Sequence, residues 1–244
     1  MLEERRGGFA PPFFLRETRM KMRTAFLSLL LALAPLSAPA VSIDATQLLP
    51  PPPADGSPAA KAERAELDQV VAARTPEMLA QATQDDAIEN PTIYRAVIGE
   101  GFDLDKLPAT SKMLTDVMRE QRAAANRAKR FFQRARPWVA EPDLKTCGPR
   151  GIDWHSSYPS GHATMGYSTG VVLAALIPEK AQAILTRASG YAENRLVCGM
   201  HFRRDIVAGE VLGTAVAVTL MHDQAFKGEF DAAEAELKAA HLAQ

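Results

Sequence analysis

The sequence PSGHATMGYSTGVVLAALI occupies residues 159–177 and decides the fold of this chain. Pro159 cannot lie inside a helix and Pro178 ends the run, while the residues between them are apolar or small. This pattern predicts a buried helix whose first turn is Ser160-Gly161-His162. The first N–H groups of a helix have no internal partner and carry partial positive charge, so this turn can bind an anion. Taken alone, a Ser-Gly-His turn is more often only a helix start.

Helical segments alternate with breakers over the rest of the chain, and strand signals are scarce. The segments are predicted at residues 59–87, 92–98, 109–135, 162–177, 179–198, 204–221 and 226–237. Residues 138–158 form a long loop, and Gly209 and Gly213 allow a neighbouring helix to pack closely. We therefore expect an all-α, single-domain helical bundle with its site at helix ends and connecting loops.

Composition and the N-terminus indicate where the protein acts. The chain has 244 residues, 47% of them hydrophobic, enough for one core, and a formal charge of −1 that suggests no nucleic-acid partner. A basic start, an apolar run at 25–34 and Ala38-Pro39-Ala40 predict a signal peptide over residues 1–40, with translation starting at Met20 or Met22. We expect a periplasmic protein without membrane contact after cleavage. Residues 41–58 read as an extended proline-rich segment before the helical domain, 59–244.

Cys147 and Cys198 are the two cysteines. In an exported protein such a pair predicts a disulfide, and two buried thiols are the alternative. The bond would tie the loop that leads to Ser160 to the turn that precedes His201.

A first candidate group consists of Lys129 and Arg136. They are seven residues apart, nearly two helical turns, so on one helix they would share a face. The alternative is a solvated basic strip, because Arg122, Arg127, Arg130 and Arg134 lie close by.

A second candidate group consists of Arg195, His201 and Asp205. On one helix, the Asp205 carboxylate four residues on could hold an imidazole N–H of His201 and fix its tautomer. The Cys198-Gly199 break would let the chain turn and bring Arg195 to the same site. A hydrogen-bonded core histidine is the alternative.

Together these groups are what phosphoryl transfer requires. Lys129, Arg136 and Arg195 would neutralise the phosphate oxygens, with donors added by the Ser160-Gly161 turn. His201 would attack phosphorus, and His162 would protonate the leaving alkoxide. No cluster with metal-ligand spacing is visible in the sequence, so we expect neither metal nor other cofactor.

The order and spacing of these residues resemble a known signature. The motifs are Lys129-x6-Arg136-Pro137, Pro159-Ser160-Gly161-His162 and Arg195-x5-His201-x3-Asp205. They resemble the three-part signature of the superfamily of type-2 phosphatidic acid phosphatases and vanadium haloperoxidases. The signal peptide, residues 48–53 (LLPPPP), 157–162 (SYPSGH) and 198–201 (CGMH) are similar to the bacterial class A non-specific acid phosphatases.

The resemblance implies a helical periplasmic enzyme that hydrolyses many small phosphomonoesters at acid pH through a phosphohistidine. It implies phosphate contacts from the matching residues Lys129, Arg136, Ser160, Gly161, His162, Arg195 and His201, with Asp205 supporting His201. One position departs from the pattern: the family usually has serine before the third-group arginine, where this chain has Asn194. That difference puts the support of Arg195 in question.

Other functions compete with this one. A vanadate-dependent haloperoxidase would use the same pocket, although those chains are typically far longer. A non-catalytic periplasmic phosphate-binding protein would need the cations but not His162 or the His201–Asp205 pair. The lack of spans disfavours a membrane lipid phosphatase. The leaving-group pocket would be shaped by Trp154, His155 and Tyr158, or Trp154 would only anchor the loop. Whether the chain forms a homo-oligomer is left open by the sequence.

Overall fold

The computed structural model describes residues 43–244, so the predicted signal peptide lies outside the described residues. The described part contains α-helices and two short 3₁₀ helices but no β-strand, which confirms the all-α prediction. The α-helices are α1 Ala45–Leu48, α2 Pro58–Ala73, α3 Pro76–Asp86, α4 Arg95–Ile98, α5 Pro108–Phe132, α6 Pro137–Ala140, α7 Gly161–Leu176, α8 Ala181–Val197, α9 Arg203–Met221 and α10 Gln224–Ala239. The 3₁₀ helices are Pro91–Tyr94 and Pro178–Lys180.

Helix α7 lies at the centre of the bundle, as its sequence predicts. Ser160 caps its first turn, and most of its residues are buried because it is apolar on all sides. It packs mainly against α9 and α8. A Cβ atom on Gly213 would lie 2.5 Å from the carbonyl oxygen of Thr164, so glycine there lets α9 approach the backbone of α7. The close packing predicted for Gly209 and Gly213 is confirmed.

Helix α5 is shorter than the predicted 109–135. Pro108 begins it, and its N–H groups at Ala109 and Thr110 donate to the carboxylate of Glu236 on α10. It ends at Phe132 because Gln133 takes the left-handed conformation, with φ of 48°, and its N–H donates to Lys129 O. Arg136 therefore lies outside the helix, in extended backbone that the following Pro137 favours.

The predicted segment 59–87 is two helices rather than one. Thr75 ends the continuity: its side chain accepts a hydrogen bond from Met78 N and caps α3, and Pro76 occupies the first position of that helix. The break redirects α3 so that it packs against α8. The last residues of α3, Asp85 and Asp86, consequently reach the site.

The segment before α2 is not extended throughout. Asp44 caps the short helix α1, and the proline run follows it without regular structure. The run is fastened to the domain, because the buried Tyr158 hydroxyl donates to Pro50 O at 2.6 Å.

Among the described residues, no single helix is long and apolar enough to cross a membrane. Helices α9 and α10 satisfy the length and composition criteria only as a pair, bent by 92° at their junction.

Candidate active site

One cleft of about 280 Å³ brings together residues from α3, α5, α7, α8 and the loops between them. Six of the predicted site residues line it: Lys129, Arg136, Gly161, His162, Arg195 and His201. Acidic residues that the sequence analysis did not select, Asp86, Glu89 and Asp153, also line the cleft. The predicted loop 138–158 begins within the short helix α6, and the loop between α6 and α7 supplies Asp153 and Ser156 to the wall of the cleft.

Lys129 and Arg136 both reach the cleft, but not from one helix face, so the one-helix interpretation is wrong. Lys129 projects from the last turn of α5, and its Nζ lies 3.6 Å from where a Cβ of Gly161 would be. Arg136 is held by the loop: its N–H donates to Trp154 O at 2.8 Å, and its guanidinium donates to Ser156 Oγ and to Met200 O. The backbone after Gln133 therefore positions the second cation.

These cations are crowded in a poorly solvated place. Burial, with repulsion from Arg136, lowers the pKa of Lys129 to about 8. Burial and repulsion from Arg195 lower the pKa of Arg136 to about 10. The Nε atoms of Arg136 and Arg195 are buried without a hydrogen-bond partner. Donors in this state favour an anion, since it would supply both the missing acceptors and the missing charge.

His201 and Asp205 contact each other, although they do not share a helix as predicted. His201 lies in the turn before α9, and Asp205 is the third residue of that helix. The His201 Nδ1 is 3.4 Å from Asp205 Oδ2, and Arg136 Nη1 is 2.7 Å from His201 Nε2. The Asp205 carboxylate accepts a hydrogen bond, so Nδ1 bears the proton. The Arg136 guanidinium can only donate, so Nε2 accepts. Burial, followed by the neighbouring Arg136, lowers the pKa of His201, so its Nε2 lone pair is available.

Asp205 is held by residues that the sequence analysis missed. Arg134 donates to Asp205 Oδ1 at 2.6 Å and to Glu63 Oε2 at 2.8 Å, and Ser157 donates to Asp205 Oδ2 at 2.6 Å. Arg134 was counted among the solvated basic residues, yet it is only 9% exposed. Its position next to the Arg136-Pro137 motif was the one available signal. Glu63 gave none, because it comes from the distant helix α2.

His162 lies in the first turn of α7. Its ring stacks on Tyr191, with centroids 5.6 Å apart, and its Nε2 lies 3.3 Å from Asp86 O. Burial and the nearby Arg195 lower the pKa of His162. The next residue back, Gly161, keeps the cleft open beside this ring.

Ser160 is fully buried and does not line the cleft. Its Oγ accepts from Ala163 N, which caps α7, and its N–H donates to Asp205 O at 2.8 Å. The structure thus gives Ser160 a role in joining α7 to α9. Its direct contact with phosphate stays a prediction.

Cys147 and Cys198 are bonded, with their Cα atoms 4.8 Å apart, which agrees with the predicted disulfide. The Cys147 N–H also donates to Cys198 O, which fastens the loop to the end of α8. There Gly199 turns the chain with φ of 69°, a conformation that favours glycine, and so brings Arg195 and His201 to one cleft.

The three loop residues proposed for the leaving-group pocket differ in position. Trp154 is 59% exposed, so its ring does not anchor the loop. Tyr158 is buried away from the cleft and contacts Pro50 instead. His155 is exposed and lines a neighbouring depression rather than the cleft.

Asn194 has a clear partner. Its Nδ2 donates to Asp85 Oδ2 at 2.6 Å, and Asp85 also receives two hydrogen bonds from Arg187. The amide therefore joins α8 to α3 immediately beside Arg195.

The helical bundle and its cation-lined cleft with two histidines define an all-α protein with a site suited to a phosphate-sized anion. A family model described as the PAP2 superfamily matches residues 110–229, and this chain belongs to that superfamily. The match begins within α5 and includes all three motif groups.

Curated relatives agree with this assignment. The chain is 31% identical over 198 residues to an acid phosphatase of Zymomonas mobilis, covering 79% of this chain and 75% of the relative. It is 30% identical over 201 residues to a non-specific acid phosphatase of Salmonella typhimurium, covering 79% and 80%. These relationships support a phosphatase function acting on small phosphate esters.

Solved structures share the fold at lower similarity. Aquifex aeolicus LpxE superposes with a TM-score of 0.52 at 19% identity, covering 64% of this chain and 93% of that one. A transmembrane PAP2-type phosphatidylglycerolphosphate phosphatase from Bacillus subtilis gives 0.51 at 18% identity, covering 71% and 87%.

Proposed function

We propose that this protein is a periplasmic acid phosphatase that hydrolyses phosphate monoesters with broad specificity. It acts through a phosphohistidine and needs no metal. The observation that carries the proposal is the geometry of His201. Its Nδ1 is held by Asp205, and its Nε2 faces a cleft lined by Lys129, Arg136 and Arg195. A buried imidazole with one nitrogen held by a carboxylate has the other available for attack.

In the first step the His201 Nε2 lone pair forms a bond to phosphorus, and the bond from phosphorus to the ester oxygen breaks. The leaving oxygen takes a proton from protonated His162. The three cations and the first-turn N–H groups of α7 contact the equatorial oxygens, where charge is largest in the transition state. Arg136, which contacts Nε2 in the free protein, shifts its donation to a phosphate oxygen as Nε2 attacks.

In the second step water attacks phosphorus and the N–P bond breaks. His162, now neutral, takes the proton from the water, and His201 recovers its lone pair. The Asp205 carboxylate stabilises the cationic phosphoimidazole through the Nδ1–H contact, and hydrogen bonds donated by Arg134 and Ser157 hold that carboxylate in place. One ester and one water become one alcohol and one phosphate.

Broad specificity fits the open side of the cleft. The residues proposed to contact phosphate are buried or half-buried, whereas Gly151, Asp153 and Glu89 on the rim are exposed and impose little shape on a leaving group. Export is proposed from the N-terminal sequence pattern and the Cys147–Cys198 bond, which forms in oxidising compartments.

The test is turnover of p-nitrophenyl phosphate by purified mature protein in EDTA, followed by acid quenching and location of any phosphate on the chain. We expect undiminished activity and phosphate on His201. Activity lost in EDTA and restored by Mg²⁺ or Zn²⁺ would disprove metal independence. Tight phosphate binding without turnover would indicate a binding protein, and halide oxidation by the vanadate-loaded protein would indicate a haloperoxidase.

A further inference from the structure

The last two residues of α3 are adjacent carboxylates with different partners on α8. Asp85 accepts from both terminal nitrogens of Arg187, at 3.0 and 2.6 Å, and from Asn194. These bonds fasten α3 to α8 outside the cleft. Asp86 points the other way, lines the cleft, and accepts from Arg195 Nη1. Asp85 therefore joins two helices, whereas Asp86 reaches the site.

Asp86 touches two of the groups that the proposed mechanism uses. Its carboxylate holds Arg195 by Nη1, while Arg195 Nε stays buried without a protein partner. Its backbone oxygen lies 3.3 Å from His162 Nε2. A carbonyl oxygen can only accept, so Nε2 must carry hydrogen and Nδ1 is the nitrogen that exchanges a proton with the substrate.

The disulfide loop holds Asp86 in this place. A Cβ atom on Gly148 would overlap the Asp86 carboxylate, so the backbone of the loop lies directly against it. An Asp86 oxygen and the sulfurs of Cys147 and Cys198 all lie within 4.8 Å of one another. The carboxylate is thus enclosed by Arg195 on one side and by the bonded loop on the other.

We infer that Asp86 is a positioning residue: its carboxylate orients the Arg195 guanidinium toward phosphate, and its backbone oxygen holds His162 Nε2 and leaves Nδ1 to transfer the proton. The inference rests on the proposed phosphatase function. Arg195 is 2% exposed, and an arginine in such a place has few other acceptors to fix its plane. Loss of Asp86 would leave the cation in the cleft but free its orientation, and small misplacements of such groups are costly.

The first test compares Asp86→Ala and Asp86→Asn with wild type. We expect Asp86→Ala to lower kcat/KM for p-nitrophenyl phosphate by about 10- to 100-fold and to weaken vanadate binding similarly. Asp86→Asn retains an oxygen that can accept from Arg195, so it should recover part of both losses. If Asp86→Ala instead binds vanadate as tightly as wild type or tighter, Asp86 competes with phosphate and the inference is wrong.

A matched control separates position from charge. Glu89→Gln removes one negative charge from the same cleft, and Glu89 makes no hydrogen bond to Arg195. We expect a much smaller effect than that of Asp86→Ala. Equal losses in the two variants would show that only the charge matters and would overturn the inference.

A second variant keeps the charge and displaces the carboxylate. Gly148 has a backbone conformation open to other residues, so Gly148→Ala should fold while its methyl group moves Asp86. We expect a loss of kcat/KM comparable to that of Asp86→Ala, and no additional loss when the two substitutions are combined. Full additivity would contradict the proposed link through Asp86.

The outcomes are distinguishable from failure of the proposed function. If wild type hydrolyses no phosphomonoester, the phosphatase proposal fails, while calorimetric vanadate affinities still rank wild type, Asp86→Asn and Asp86→Ala. Vanadate affinities that fall from wild type to Asp86→Asn to Asp86→Ala would support the orientation of Arg195 by Asp86. Equal affinities in the three proteins would overturn the inference.

Discussion

At the scale of single residues, the two cleft histidines divide the proposed chemistry. His201→Ala removes the nucleophile, so we expect no turnover of any ester. His162→Ala removes only the proton donor, so its loss should be about 10²- to 10⁴-fold for alkyl phosphates and much smaller for p-nitrophenyl phosphate. Steady-state kinetics over a series of leaving groups measures this difference.

His222→Ala is the matched control, since His222 contacts Val218 O and lies outside the cleft. It should retain wild-type activity. An His162→Ala variant that is equally inactive on good and poor leaving groups would contradict the role of His162 as the acid.

The pH dependence follows from the charge around His162. Burial and Arg195 lower its pKa in the free protein, so its acid form is lost early as the pH rises. A bound phosphate ester offsets the positive charge of Arg195 and should raise the pKa of His162. We therefore expect an acidic optimum, with the alkaline limb of kcat at higher pH than that of kcat/KM. Coincident limbs would show that the bound ester does not change this pKa.

Lys129 shows that the site costs stability. Its pKa falls from 10.5 unfolded to about 8 folded, so the buried charge destabilises the free protein fully below pH 8 and less as the pH rises to 10.5. We expect Lys129→Met to raise the free energy of unfolding by about 1–3 kcal/mol near pH 7 and to abolish phosphate binding. Urea denaturation at pH 7 and pH 10 measures the change.

The gain from Lys129→Met should shrink at pH 10, where Lys129 is already neutral. Lys61→Met on the exposed side of α2 is the control, and its effect should be near zero at both pH values. A pH-independent gain would assign the effect to packing instead of charge.

At the scale of elements, contact between α7 and α9 sets the position of the first turn of α7, which we propose binds phosphate. A Cβ on Gly213 would meet Thr164 O at 2.5 Å and Ser168 N at 2.9 Å. We expect Gly213→Ala to destabilise the protein by about 1–3 kcal/mol and to lower kcat/KM, because the helices must separate. Chemical denaturation and kinetics on the same preparation check both effects.

Gly190→Ala is the matched control within α8. Nothing lies within 4 Å of the added methyl group, so helix propensity should make this variant more stable by up to about 1 kcal/mol. If both glycine variants are stabilised, α7 and α9 do not pack as closely as the structure shows.

At the scale of the whole molecule, the Cys147–Cys198 bond closes a loop of 51 residues across the site. Replacing both cysteines by alanine should cost about 4 kcal/mol in the chain-entropy model. It should also lower kcat/KM, because Gly148 would no longer hold Asp86. Thermal denaturation and kinetics on oxidised wild type and the double variant measure the two losses. If the double variant has wild-type kinetics, the disulfide does not affect the active site.

By itself, the sequence determined the helical class, the buried α7 and six of the residues that line the cleft. Those predictions rest on local properties: the apolar pattern of 162–177, the stops at proline and glycine, and the motif spacing. Apolar periodicity is a local signal and predicts helices well.

Only the tertiary structure decided how those residues meet. The left-handed Gln133 ends α5 early, so Arg136 comes from the loop, and His201 precedes α9 instead of sharing it with Asp205. Two supporting residues, Glu63 and Asp86, are far in sequence from the motifs they support. Arg134 lies close to Arg136 but belongs to no motif, and burial alone distinguishes it from its exposed neighbour Arg130. A buried ion pair depends on where two remote helices meet, and no local pattern encodes that position.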